Sequence, residues 1–160
     1  MTTQNTSDQK SDTFFMAEAI KEGRKALHNK DVPVGAVVVL NDRVIGRGFN
    51  QVELLKDPTA HAEMIAITAA TNSISEKWLN EATLYVTVEP CSMCAGACVL
   101  ARLKRVVYGV ADIKTGAHSS LFNLLNDPRL NHQIDVTPGI MKEECTALMM
   151  DFFESLRQNK

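Results

Sequence analysis

No apolar run in this 160-residue chain approaches the roughly 20 residues that a membrane-spanning helix needs, so no membrane anchor is expected. The opening stretch, MTTQNTSDQKSD, is polar and lacks the apolar core of a secretory signal. It reads as a flexible leader, residues 1–12, ahead of a single domain at 13–160. Internal repeats are missing too, as are low-complexity tracts beyond the leader. Net charge is small: 17 Lys and Arg stand against 19 Asp and Glu, a formal charge of -2. That balance argues against a general affinity for polyanions but leaves room for a local basic patch. The segment 101–120 holds Arg102, Lys104, Arg105 and Lys114 against Asp112 alone, and on charge alone it reads as a solvated face. Cysteine is scarce, with Cys91, Cys94, Cys98 and Cys145. A cytoplasmic location is the expectation. There, cysteines are more often metal ligands, catalysts or small core residues than disulfides.

What is present is enough for one domain with a real core: 45% of the residues are hydrophobic. Thr13 to Asn29 reads as a helix with Met16, Ile20, Gly23 and Leu27 on one face. VPVGAVVVL is too β-branched for a comfortable helix, and Asn41-Asp42 is a turn signal, so Val34–Leu40 and Arg43–Gly48 form a hairpin. A loop follows. A helix with Thr59 as N-cap then runs to about Thr71. ATLYVTVE reads as a buried strand, CSMCAGACVLAR as a helix starting at the cysteine pair, and RVVYGV as another strand. A long loop, a short helix around Leu121–Leu125, a strand at Ile134–Val136 and a helix from Met141 to about Arg157 complete the chain. Strand–helix–strand units put helices on both faces of a sheet. The expected fold is α/β, a three-layer α/β/α sandwich around a mixed five-stranded sheet in which only the first hairpin must be antiparallel.

Two helix starts carry chemistry. One holds His61-Ala62-Glu63, the other Pro90-Cys91-Ser92-Met93-Cys94. A Cys-x-x-Cys at a helix N-terminus presents two sulfurs about one turn apart, where the helix dipole favours thiolates. With a His nitrogen, His61, Cys91 and Cys94 make a three-ligand set that leaves a fourth tetrahedral position for water, the mark of a catalytic zinc site. Soft thiolate ligands favour zinc. Glu63, two residues from His61, can take a proton from that water and return it to a leaving group. Alone, His-x-Glu is usually surface, and Cys-x-x-Cys fits a redox pair or half of a structural zinc site. Together they match the signature of zinc nucleobase deaminases. A metal off the helix start lies beyond the reach of Cys98. Cys98 and Cys145 read as small core residues.

Beyond that signature, VPVGAVVV, NDRVIGRGFN, DPTAHAE, TLYVTVEPCSMCAGA, RVVYGVADIKTGAHSSLFNLL, NH and DFFESLR together resemble the bacterial tRNA-specific adenosine deaminases over nearly all of 13–157. The resemblance implies a cytidine-deaminase-like fold, a homodimer with one zinc ion per subunit, and a tRNA anticodon stem-loop as partner. The implied reaction converts the wobble adenosine to inosine, with arginine tRNA as the foremost substrate. It also implies that Asn50 and the Ala62 backbone N–H touch the adenine. Asp112, Lys114 and Asn131 would lie near ribose, phosphates or flanking nucleotides, with Phe153 and Arg157 beside the RNA. Each has a plainer reading: Asn50 as a turn cap, Asp112 and Lys114 as a surface pair. Of Phe152 and Phe153, one belongs to the core and one to the surface, and periodicity leaves open which. Two rival functions remain in view: a free nucleobase or nucleoside deaminase, and a non-catalytic zinc-stabilised binding module.

Overall fold

A computed structural model describes the backbone of residues 3–159 and the side chains of 12–159. The elements, in chain order, are α1 (Thr3–Lys25) ending in a 3-10 turn (Ala26–Asn29), β1 (Gly35–Leu40), β2 (Arg43–Phe49), α2 (Val52–Leu55), α3 (Ala62–Ile74), β3 (Thr83–Val88), α4 (Ser92–Leu100), β4 (Arg105–Val110), β5 (Asp135–Pro138) and α5 (Lys142–Gln158). The sheet has five strands in the order β2-β1-β3-β4-β5. It is mixed: β1 pairs antiparallel with both β2 and β3, while β3–β4 and β4–β5 are parallel.

Strand alternation explains the three layers. Side chains of successive strand residues point to opposite faces. On one face Ala36, Val38, Leu84, Val86, Val106 and Tyr108 pack with α3 and α4. On the other, Val37, Val39, Tyr85 and Val107 pack with Phe15, Met16, Ala19 and Ile20 of α1 and Cys145 of α5. A central strand covered on both faces reads as a continuous apolar run, as GAVVVL does. The hairpin turns at Asn41 and Asp42, whose φ values of 50° and 60° give the double left-handed turn that tight hairpins favour.

Small residues bring α3 unusually close to the sheet. A Cβ on Gly48 would lie 2.3 Å from the Ala62 carbonyl oxygen, and one on Gly46 the same distance from that of Ala66. Ala62, Ala66 and Ala70 are buried on the facing side of the helix. This seam fixes where α3 begins relative to β2, and hence where His61 and Glu63 stand.

Several boundaries differ from the sequence reading. The backbone is helical from Thr3, ahead of the expected Thr13; the side chains of 3–11 and all of residues 1–2 lie outside the described residues. Leu27 is 40% exposed, because the chain tightens into the 3-10 turn and rotates it off the face shared by Met16 and Ile20. Residue 61, not Thr59, is the N-cap of α3: the Thr59 N–H and hydroxyl both donate to Asp57 Oδ1, closing a turn before the helix starts. That helix also runs on to Ile74. The short α2 falls where the sequence predicts a loop. The expected helix around Leu121–Leu125 is a turn region, because the N–H groups of Leu121 and Phe122 fold back to the Gly116 carbonyl and that of Leu124 to Ala117.

Candidate active site

Residues 61 and 91 are the N-caps of α3 and α4, both in extended backbone conformation just before their helices. The two helix starts meet. His61 Nδ1 lies 3.6 Å from Cys91 Sγ and 3.5 Å from Cys94 Sγ. The three donors form the one compact metal-ligating group found among the described residues. Tetrahedral zinc, with Zn–N about 2.0–2.1 Å and Zn–S about 2.3 Å, separates N and S ligands by about 3.6 Å, so the donor set fits that ion.

The charges suit a cation. Contact with Cys94 holds the Cys91 thiol down to about 4 against the opposing push of burial, and His61 adds to the lowering. Cys94 is pushed up by its contact with Cys91 and by burial. Metal ligation needs both sulfurs as thiolates, so a cation bound here would displace protons from the pair. Cys91 raises the His61 value, opposed by burial and aided by Glu63. Glu63 is buried, and burial pushes its carboxyl up to about 6. A carboxyl poised near neutrality can both accept and return a proton.

Beside these groups lies a cavity of about 300 Å³, lined by His61, Glu63, Cys91, Asn50, Asp112 and others. Its volume is at the lower end of small-molecule sites, about 300–1,000 Å³. Asn50 Oδ1 accepts the Ala62 N–H at 2.9 Å, so the N–H expected to face a base is engaged by the neighbouring Asn50 side chain. The Asp112 carboxylate accepts the N–H of Lys114 and Thr115 and the Thr115 hydroxyl. Lys114, Asn131, Phe153 and Arg157 are exposed and do not line the cavity. Phe152 is the core member of its pair, and Phe153 is 45% exposed. Cys98 and Cys145 are fully buried core residues.

The positive excess in 101–120 does not form a patch at the cavity. Arg105 makes a bidentate pair with Asp12, Lys104 pairs with Glu81, and Arg102 lies over Trp78. The sequence reading missed Asp31, Glu53, Glu89 and Met149, all of which line the cavity. Glu89 had a signal: an acid at a strand end directly before Pro90-Cys91. Burial pushes its carboxyl up, but the Ser120 hydroxyl and the N–H groups of His118, Ser119 and Asp112 outweigh this and leave it lowered. Met149 sits on α5, whose amphipathic pattern gives no hint that it reaches the cavity.

A His nitrogen, two sulfurs and a buried carboxyl at one cavity, on a mixed sheet with helices on both faces, define a deaminase-type site. The family model of MafB19-like deaminases matches residues 10–157. Within that class the chain belongs to the tRNA-specific adenosine deaminase family. It is 46% identical to the Bacillus subtilis tRNA-specific adenosine deaminase over 93% of this chain and 92% of that one. Its identity to the Aquifex aeolicus protein of the same name is 43%, over 91% of this chain and 96% of that one. A solved structure from studies of A-to-I editing by tRNA:A34 deaminases superposes with a TM-score of 0.81 at 42% identity, covering 85% of this chain and 99% of that chain. A guanine deaminase from Nitrosomonas europaea shares the fold at 22% identity, with a TM-score of 0.76 over 88% of this chain and 83% of that one.

Proposed function

We propose that this chain hydrolyses the exocyclic amine of the wobble adenosine in a tRNA anticodon, arginine tRNA foremost, giving inosine and ammonia. The observation that carries the reading is the meeting of two helix starts, with His61 Nδ1 within 3.6 Å of both sulfurs and buried Glu63 on the same cavity. His61, Cys91 and Cys94 would hold one zinc ion per subunit, which would supply Lewis-acid activation of water. Glu63 takes one proton from the attacking water and gives it to a ring nitrogen of the base, then takes the second proton from the added hydroxyl and gives it to the amine, which departs as ammonia while the carbonyl forms. The Asn50 side chain, held by the Ala62 N–H, presents its amide to the purine edge. Asp112 and Asn131 bind ribose or flanking nucleotides. Lys114 and Arg157 neutralise phosphates, and Phe153 stacks on an unpaired base. The protein works as a cytoplasmic homodimer. No helix among the described residues is long and apolar enough to cross a membrane.

One observation favours a second reading, a free nucleobase as substrate: the cavity lining is acidic. A single assay separates the two. An unmodified arginine tRNA with an ACG anticodon is incubated with zinc-loaded protein, and inosine is read as an A-to-G change on reverse transcription. Free guanine, adenosine and cytosine are run alongside. Conversion confined to the wobble adenosine is the expected result. Ammonia from a free base without inosine in RNA would establish the second reading, and silence on every substrate would leave a binding module.

A further inference from the structure

We propose that Glu89 is a positioning residue: its carboxylate fixes the 112–120 segment against Cys91 and so sets the cavity wall that grips the substrate nucleotide. The inference rests on the deaminase reading above. Glu89 follows β3 and donates its own N–H to the Val110 carbonyl at 2.8 Å, which anchors its backbone to β4. Its side chain is buried, and both oxygens are fully engaged. Oε2 accepts the N–H groups of His118, Ser119 and Ser120 at 2.9, 3.1 and 3.3 Å. Oε1 accepts the Asp112 N–H at 3.2 Å and the Ser120 hydroxyl at 2.5 Å.

Every partner is a donor, and a carboxylate is the side chain that accepts at both ends. The two ends of the segment thus close on one group. Gly116 lies between them because a Cβ there would come within 2.4 Å of Glu89 Oε2. The same segment is stitched to the turn that carries the metal ligand Cys91: Ala117 N–H donates to the Pro90 carbonyl at 2.8 Å, and Gly116 forms an isolated β-bridge with Cys91. What this closure holds in place is Asp112 and Thr115, both in the cavity wall. Glu63 and His61 come from α3, which no Glu89 hydrogen bond touches. Disturbing Glu89 therefore loosens substrate grip rather than proton transfer.

Glu89→Gln tests this. The amide oxygen can still serve the three N–H groups at 118–120, while the amide NH₂ then faces the Asp112 N–H, donor against donor. In the zinc-loaded full-length protein acting on an anticodon stem-loop, KM is expected to rise about tenfold, with kcat within about twofold and zinc content unchanged. A double-mutant cycle with Asp112→Ala supplies the readout a general structural role would not move: on that background Glu89→Gln should add little, because its effect passes through the Asp112 end. Should Glu89→Gln fail to fold, Ser120→Ala removes one bond to the same oxygen and should raise KM about two- to threefold in the same pattern. An unchanged KM, a loss confined to kcat, or full additivity with Asp112→Ala overturns the assignment. A wild-type protein that makes no inosine in the stem-loop removes the deaminase reading itself, and this inference with it.

Discussion

Replacing Gly48 with Ala adds one methyl group and should disable the site without touching a catalytic atom. The new Cβ would stand 2.3 Å from the Ala62 carbonyl oxygen and 2.8 Å from the Ala66 nitrogen, where ordinary contact begins at 3.4 Å. Both obstacles are helix backbone, so no side chain can swing aside, and the first turn of α3 must recede by about 1 Å. That turn carries Glu63, follows His61, and holds Asn50 through the Ala62 N–H. Overpacking of this kind costs about 1–3 kcal/mol of stability. A misplacement of about 1 Å at reacting groups costs on the order of 10²-fold in rate. Single-turnover deamination of a stem-loop, zinc stoichiometry and thermal unfolding should together show a folded, less stable protein that reacts about a hundredfold more slowly. Gly96→Ala on α4 is the matched control. Its Cβ meets nothing within 4 Å, so the same methyl should leave activity intact and add up to about 1 kcal/mol through helix propensity. A Gly48→Ala protein with wild-type rate and melting temperature would refute the claim that this seam positions the site.

Glu63→Gln should keep fold and zinc while lowering kcat by about 10²- to 10⁴-fold, whereas His61→Ala should lose the metal as well, both read by activity and zinc analysis. Glu63 also predicts a pH effect in zinc-stripped protein. Its folded value of about 6 lies above the ordinary 4.5, so its contribution to stability is fully present below pH 4.5 and is lost as pH rises through 6. Relative to wild type, zinc-stripped Glu63→Gln should therefore gain about 2 kcal/mol between pH 4 and pH 8 in urea unfolding, and an equal difference at both pH values would contradict the burial argument. Phe152→Ala should cost about 3–5 kcal/mol in stability, while Phe153→Ala should leave the melting temperature nearly unchanged and raise KM for the stem-loop.

Strong local signals were legible in the sequence. The hairpin followed from Asn41-Asp42 between β-branched runs, and the metal group followed from two short motifs placed at helix starts. What escaped was set by local competition for hydrogen bonds in two places and by a tertiary partner in a third. Thr59 has the chemistry of an N-cap, yet Asp57 captures its N–H and hydroxyl, and the helix starts later at His61. The run at Leu121–Leu125 has helix-forming residues, but the N–H groups of Leu121, Phe122 and Leu124 are taken by the Gly116 and Ala117 carbonyls a few residues back. Met149 reaches the cavity only because α5 packs beside β4, a relation that no spacing within its own segment encodes.

The cavity lining contains Asp31, Glu53, Glu63, Glu89 and Asp112, and among the described residues no Lys or Arg. An RNA substrate and a chain of net charge -2 look mismatched until those carboxylates are followed to their partners. The two Asp31 oxygens accept the N–H groups of Val32 and Glu53. Asp112 is turned onto Lys114 and Thr115, and Glu89 onto the ends of its own loop. Glu63 is raised by burial toward a form that carries its proton. Glu53 pairs with Lys56 at 3.4 Å, while Asp31, Asp112 and Glu89 hold backbone around the cavity, so none of these four carboxylates is without a partner. Such a pocket suits a neutral base and sugar hydroxyls, and on the proposed function the phosphates meet Lys114 and Arg157, which are exposed and outside the cavity lining. Affinity for RNA then rests on few phosphate contacts. Its dependence on salt should be correspondingly shallow, about 0.7 in log–log slope for each neutralised phosphate of a single strand. Two such contacts predict a slope near −1.4 for the stem-loop. A slope of zero with turnover preserved would mean that phosphates take no part in recognition, and would remove Lys114 and Arg157 from the proposed RNA contacts.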